Sequence, residues 1–92
     1  MTEHELKCWP EWYEPSLTDK KPYEIRRADR DFHVGDVLHL REYAPPRSGF
    51  PANYTGREMK RTVTHILEGG VFGVEAGFCI LSLGPVFWVK GE

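Results

Sequence analysis

Lys21, Glu24 and Arg26 fall within one short segment, Lys20-Lys21-Pro22-Tyr23-Glu24-Ile25-Arg26-Arg27. A partly desolvated lysine beside a carboxylate can act as a base or a nucleophile. The planar fork of an arginine can hold a phosphate or the edge of a base. Two readings follow from these residue types. The group forms the floor of a site for an anionic, hydrogen-bonding ligand, or it is an ion-pair ladder in which Glu24 and Arg26 meet cross-strand charges such as Arg41 and Glu42.

The local pattern says which element must carry the group. Tyr23 and Ile25 alternate with Glu24 and Arg26, and period two is strand periodicity, so Glu24 and Arg26 leave the same face of a strand over about 22–27. Pro22 fixes its own φ and biases Lys21 toward extended backbone. Alternation also predicts a first strand near Glu3–Trp9, with Leu6 and Cys8 on one face, and a strand over Val37–Tyr43. The longest strand is expected over Glu58–Leu67, entered by a turn at Tyr54-Thr55-Gly56-Arg57. Phe78–Leu83 is apolar on both faces, as a central strand is, and Val86–Val89 reads as a last strand. Between the first two strands, Pro10 suits the start of a helix, with Trp12, Tyr13 and Leu17 as its apolar stripe. Pro15 keeps that helix to one or two turns ending before Thr18-Asp19. Ala44–Asn53, with Pro45, Pro46, Gly49 and Pro51, reads as an exposed loop.

Five or six short strands and one small helix predict a mainly β (α+β), twisted β-barrel, with Ile25, Leu38, Leu40, Val63, Ile80 and Leu81 in its core. At 92 residues the chain makes a single domain over 1–92, with 40% hydrophobic and 28% charged residues. No apolar run approaches the roughly 20 residues that cross a bilayer. The acidic start Met1–Glu5 is not followed by the apolar stretch of a signal peptide, and Cys8 and Cys79 form no Cys-x-x-Cys pair. A cytoplasmic protein with two free thiols is expected.

The net charge of −2 is unevenly divided: residues 20–61 hold ten Lys/Arg against six acids, and the remainder holds two against eight. Overall charge therefore argues against a non-specific polyanion binder while leaving room for a local basic face. Aromatic residues interleave with the basic ones, an arrangement that can stack nucleobases. Most are expected in the core, with Tyr43, Phe50 and Tyr54 beside the proline-rich loop as the exposed ones. His4, His33, His39 and His65 are scattered, no phosphate-binding glycine loop is present, and neither metal nor cofactor is expected.

The segments His4–Lys7, Trp9–Tyr13, Lys20–Arg26, Asp29–Phe32, Val34–Leu38, Leu40–Tyr43 and Tyr54–Arg57, in this order, resemble the ASCH-like branch of the PUA superfamily. Within it they are similar to small stand-alone members of unassigned function from bacteria and their phages. The resemblance implies a barrel with a cleft lined by a Gly-x-Lys-x-x-Glu-x-Arg motif, and a link to RNA. Lys21, Glu24 and Arg26 match its charged positions, and Asp19 stands at its glycine position. On this basis an RNA- or nucleotide-binding module is expected. Lys21 and Arg26 would contact phosphate or base acceptors, Glu24 would accept from a base or orient Lys21, and Arg41, Arg57 and Tyr54 would border the cleft.

One ASCH branch hydrolyses the acetamide of N4-acetylcytidine, using the motif lysine, a threonine where this chain has Glu24, and a later glutamate, for which Glu75 is the nearest position. An amidohydrolase with Lys21 and Glu24 as catalytic residues is thus the second reading. A phage-type protein that acts by binding a host protein is the third.

Overall fold

A computed structural model describes residues 1–91, as six strands and one helix. They are β1 (Glu3–Cys8), α1 (Pro10–Leu17), β2 (Tyr23–Arg27), β3 (Val37–Ala44), β4 (Asn53–Glu68), β5 (Phe78–Leu83) and β6 (Trp88–Lys90). The strand order is β1-β3-β4-β5-β2, with β6 on the flank of β4. β1 and β3 run parallel; all other pairs are antiparallel. The sheet does not close into a barrel. β1 and β2 are its two ends, and among the described residues no backbone ladder joins them.

β4 is the hinge of this curled sheet. Its first half pairs with β3 and its second half with β5. Thr64 is an extra residue between the pairs Val63–Leu83 and His65–Ser82, and such a bulge bends a strand and increases its twist. The bulge also reverses the alternation: Val63 is buried and His65 exposed. Tyr54-Thr55-Gly56-Arg57 is not a turn, contrary to the sequence expectation. It lies inside β4, where three residues stand opposite the single Glu42 of β3, and Gly56 takes up φ +96° within that irregular stretch.

The core lies between the concave sheet and α1. Leu6 and Cys8 of β1, Leu38 and Leu40 of β3, Met59 and Val63 of β4 and Leu81 and Leu83 of β5 fill it, with Tyr13 of α1 beneath them. Four of the six expected core residues are therefore inside. Ile80 is only half-buried, and Ile25 is 54% exposed while its neighbour Glu24 is 3% exposed. The alternation of β2 is as expected, but its charged face turns inward. The reason is that Glu24 arrives with its own cations, so the inward face carries paired charges instead of bare ones.

Two buried polar groups tie the ends of the fold. Asp36, at the turn before β3, accepts hydrogen bonds from the Thr2 and His33 backbone amides at 3.0 and 2.9 Å, and its Oδ2 lies 2.8 Å from His4 Nε2. The hydrogen bond to His4 and those from the amides, opposed by burial, lower the Asp36 carboxyl from 3.8 to about 2. Because the folded state binds this proton more weakly than the unfolded chain, the stabilisation is present above about pH 4 and is lost as pH falls toward 2. Acid unfolding followed by circular dichroism is expected to begin in that window. Asp36→Asn should weaken the protein at neutral pH by about 2 kcal/mol, the scale of hydrogen bonds to a charged group, and flatten the acid limb.

Candidate functional site

The open seam between β1 and β2 is where the chemistry gathers. Lys21 precedes β2, Glu24 and Arg26 project inward from it, and all three meet at the seam. Lys21 Nζ donates to Glu24 Oε1 at 2.7 Å and to the Tyr23 carbonyl at 2.8 Å. Arg26 Nε donates to Glu24 Oε2 at 3.0 Å, while its Nη2 crosses the seam to the Lys7 carbonyl of β1 at 2.8 Å. Both oxygens of Glu24 are thus engaged by cations. Arg26 Nη1 and the third Lys21 proton have no protein partner among the described residues, and they remain available as donors.

Above this floor lies a cavity of about 470 Å³. Trp9 and Trp12, Tyr23 and Ile25 form its sides, and Cys8 lies in the lining beside Lys7. The volume falls in the range of small-molecule sites, which combine apolar walls with a few placed polar groups. Trp9 and Trp12 are half exposed, at 50% and 53%. Their role was not read from the sequence, which put them with the core. Pro10 at the first helical position leaves Trp9 outside the helix, while Tyr13 takes the buried face of α1, so the eight-residue helix has no inner face for Trp12.

Asp19, at the position where the resemblance places a glycine, has φ +62°, the left-handed region that glycine occupies freely and Asp tolerates better than most residues. Its carboxylate accepts from Arg61 Nη2 at 2.6 Å. Arg61, only 1% exposed, also donates to the Ser16 carbonyl at 2.9 Å and the Gly84 carbonyl at 2.6 Å. One buried arginine thus holds the end of α1, and with it the approach to Lys21, against β4 and the end of β5. Lys20 and Lys21 complete that approach by donating their backbone amides to the Pro15 carbonyl at 2.9 and 3.0 Å.

The other expected site residues lie elsewhere. Arg57 binds Glu42 at 2.9 Å and Glu14 at 3.0 Å and covers the Tyr13 ring, clamping α1 to the sheet. The hydrogen bonds from Arg57 hold the Glu42 carboxyl below its ordinary value despite burial. Arg41 sits 3.8 Å over the Tyr54 ring and near Glu5 and Glu58. Neither arginine borders the cleft, and the cross-strand pairing of Glu24 and Arg26 with Arg41 and Glu42 does not form. Tyr54 lines a neighbouring groove with Lys7, Arg26 and Arg30. Of the expected exposed aromatics, Phe50 is exposed, whereas Tyr43 and Tyr54 are half-buried against one another. Glu75 lies exposed in the β4–β5 connection, outside the cleft lining.

Cys8 is the one thiol at the cleft, and it is a poor nucleophile. Burial, reinforced by Glu24, pushes it up to about 12 despite the opposing charges of Lys21 and Arg26. Since the thiolate is the reactive form, alkylation by iodoacetamide at pH 8 should be slow in the folded protein and become fast on unfolding. Peptide mass spectrometry of both states checks this. Among the described residues no three His, Cys, Asp or Glu side chains are placed to hold a metal ion, and no helix is long and apolar enough to cross a membrane.

The model of the family described as "Domain of unknown function (DUF3850)" matches residues 3–83, which include every residue of the cleft. The chain belongs to this DUF3850 family. It is also similar to an uncharacterized 12.9 kDa protein from the GpA 3' region of Escherichia phage P2, with 29% identity over 65 residues. That match covers 71% of this chain and 54% of the relative, so the chain spans about half the length of the phage protein. The match to the DUF3850 model ends at the last residue of β5, leaving β6 outside it.

Proposed function

We propose that this DUF3850 chain is a PUA-like, ASCH-type domain whose curled sheet is a barrel left open at one seam, and that it binds RNA or a nucleotide-like ligand in the seam cleft. The observation that carries the reading is the pairing of aromatic walls, Trp9, Trp12 and Tyr23, with a donor-bearing floor of Lys21 and Arg26. A nucleobase is flat and apolar on its faces and polar at its edge, so it matches both parts at once. Glu24, with both oxygens taken, acts as the clamp that holds the two cations. The floor therefore offers donors, which suit the O2, O4, O6 or N7 acceptors of a keto base, or a phosphate.

Quenching of Trp9 and Trp12 fluorescence on titration with uridine or guanosine monophosphate tests this. Binding should weaken with salt along a shallow log–log slope; a few contacts at about −0.7 per neutralised phosphate give roughly −2 to −3 for a short single strand. Arg26→Ala should flatten that slope by about one contact. Salt-independent binding that ignores Arg26→Ala would remove the nucleic-acid reading. The amidohydrolase alternative makes a different demand, release of acetate from N4-acetylcytidine that disappears in Lys21→Ala. With Lys21 tied to Glu24 and glutamate in place of the threonine, no such turnover is expected.

A further inference from the structure

We propose that the cleft is the end of a longer site, and that a phosphate track along the β1/β2 seam receives the backbone of a single-stranded oligonucleotide whose base occupies the cleft. This rests on the nucleotide reading of the cleft. Arg26 borders the cleft and both of the two further grooves along the seam. Arg30 borders both of those grooves, joined in one by Arg27 and Phe32 and in the other by Lys7 and Tyr54.

Three of the five Lys/Arg side chains without a carboxylate partner among the described residues line this seam, Lys20 and Arg47 being the other two. Most basic side chains are paired: Arg41, Arg57, Lys60, Arg61 and Lys90 each have a carboxylate within 4 Å, as do Lys21 and Arg26. Lys7, Arg27 and Arg30 are exposed and have none among the described residues. Glu5 and Asp29 also line the grooves, but Glu5 is turned to Arg41, 3.4 Å away. Unpaired cations along a groove are what a phosphate chain requires, since each contact releases a condensed counterion. The seam itself supports the track. Arg26 and Arg30 donate to the Lys7 and Glu5 carbonyls at 2.8 and 3.2 Å, so the free edge of β1 is capped by guanidinium groups in place of another strand. Arg27, stacked 5.2 Å over Phe78, is held on β2 beside them.

The test compares uridine monophosphate with a hexamer of uridylate, both titrated against the intact chain by fluorescence at several salt concentrations. The hexamer should bind about tenfold tighter near physiological salt, with a slope steeper by roughly two contacts. Arg27→Ala/Arg30→Ala should weaken hexamer binding by about tenfold and remove that extra slope, leaving the monophosphate unchanged. Arg27→Glu alone, which touches no backbone hydrogen bond, should weaken the hexamer in the same direction. Equal affinities for hexamer and monophosphate would overturn the track while leaving the cleft reading intact, and an Arg27→Glu variant that binds the hexamer normally would do the same. Poly-glutamate of matched charge competing as well as the hexamer would show a general anion surface and also overturn it. Binding of neither probe would remove both readings.

Discussion

Replacing Arg61 by alanine is expected to remove about 3–5 kcal/mol of stability, the scale seen when one partner of a buried charged network is deleted. For a domain of this size that is half or more of the total, and the melting temperature should fall by well over 10 °C. The guanidinium is almost completely enclosed and its acceptors are three backbone carbonyls, of Ser16, Leu83 and Gly84, and the Asp19 carboxylate. Truncation strands the carbonyls in a dry site, and each unsatisfied group costs about 1–3 kcal/mol. Arg61→Met should be milder, because it keeps the packing of the stem and loses only the polar contacts. Asp19→Gly separates the two halves of the arrangement. Its own side chain is 67% exposed, but the charge it leaves behind is the 1%-exposed Arg61, still held by its carbonyls, so losing that ion pair should cost about 1–3 kcal/mol. Releasing an aspartate from φ +62° returns about 1 kcal/mol. An Asp19→Gly loss clearly smaller than that of a crippling Arg61→Ala, both measured by urea unfolding, is the expected result. An Arg61→Ala protein that unfolds with its midpoint unchanged would show that the carbonyls find other partners.

Arg61 was visible in the sequence only as a parity. It falls between Met59 and Val63 on the inward face of β4, but nothing local says whether a charge at such a position is buried or marks a break in the pattern. The same gap explains β2. Alternation there required Tyr23 and Ile25 to share one face and Glu24 and Arg26 the other, and it could not tell which face turns inward. Hydrophobicity argued for Ile25, and the mutual satisfaction of Lys21, Glu24 and Arg26 decided otherwise. Elements set by local signals were more legible: Phe78–Leu83 coincides with β5, and Pro10 opens the helix. Bulges were not, because the pairs that define them lie far apart in the chain, as with Glu42 opposite Thr55–Arg57. The convergence of Lys21, Glu24 and Arg26 was readable from the parity of Glu24 and Arg26 on one strand and from the place of Lys21 at that strand's entrance. The aromatic walls that make the group a cleft were not, since Trp9 and Trp12 are about a dozen residues away in the chain and meet the group only in the folded structure.

The role given to Glu24 leads to the second large effect. Glu24→Gln keeps the volume and removes the charge that holds Lys21 and Arg26 2.7 and 3.0 Å from its two oxygens. One face of the amide is a donor, so it must point its NH₂ at one of the two cations, and one of the two hydrogen bonds becomes a repulsion. The two like charges then stand over a neutral partner and move apart into the cleft. If Glu24 is a clamp, every nucleotide loses its positioned donors together, and affinity should fall by about 10- to 100-fold for uridine, guanosine and adenosine monophosphates alike, the range of one or two lost charge-assisted hydrogen bonds. Inorganic phosphate, which needs charge more than geometry, should bind at least as well to the variant as to the wild type. If Glu24 accepts from the base directly, the loss would differ between bases, largest for guanosine, whose N1–H and N2–H₂ can both donate to a carboxylate, and smaller for uridine and adenosine, which present fewer edge donors. Isothermal titration of the three monophosphates and phosphate against both proteins distinguishes the two roles. A uridine affinity that survives Glu24→Gln would sink the clamp.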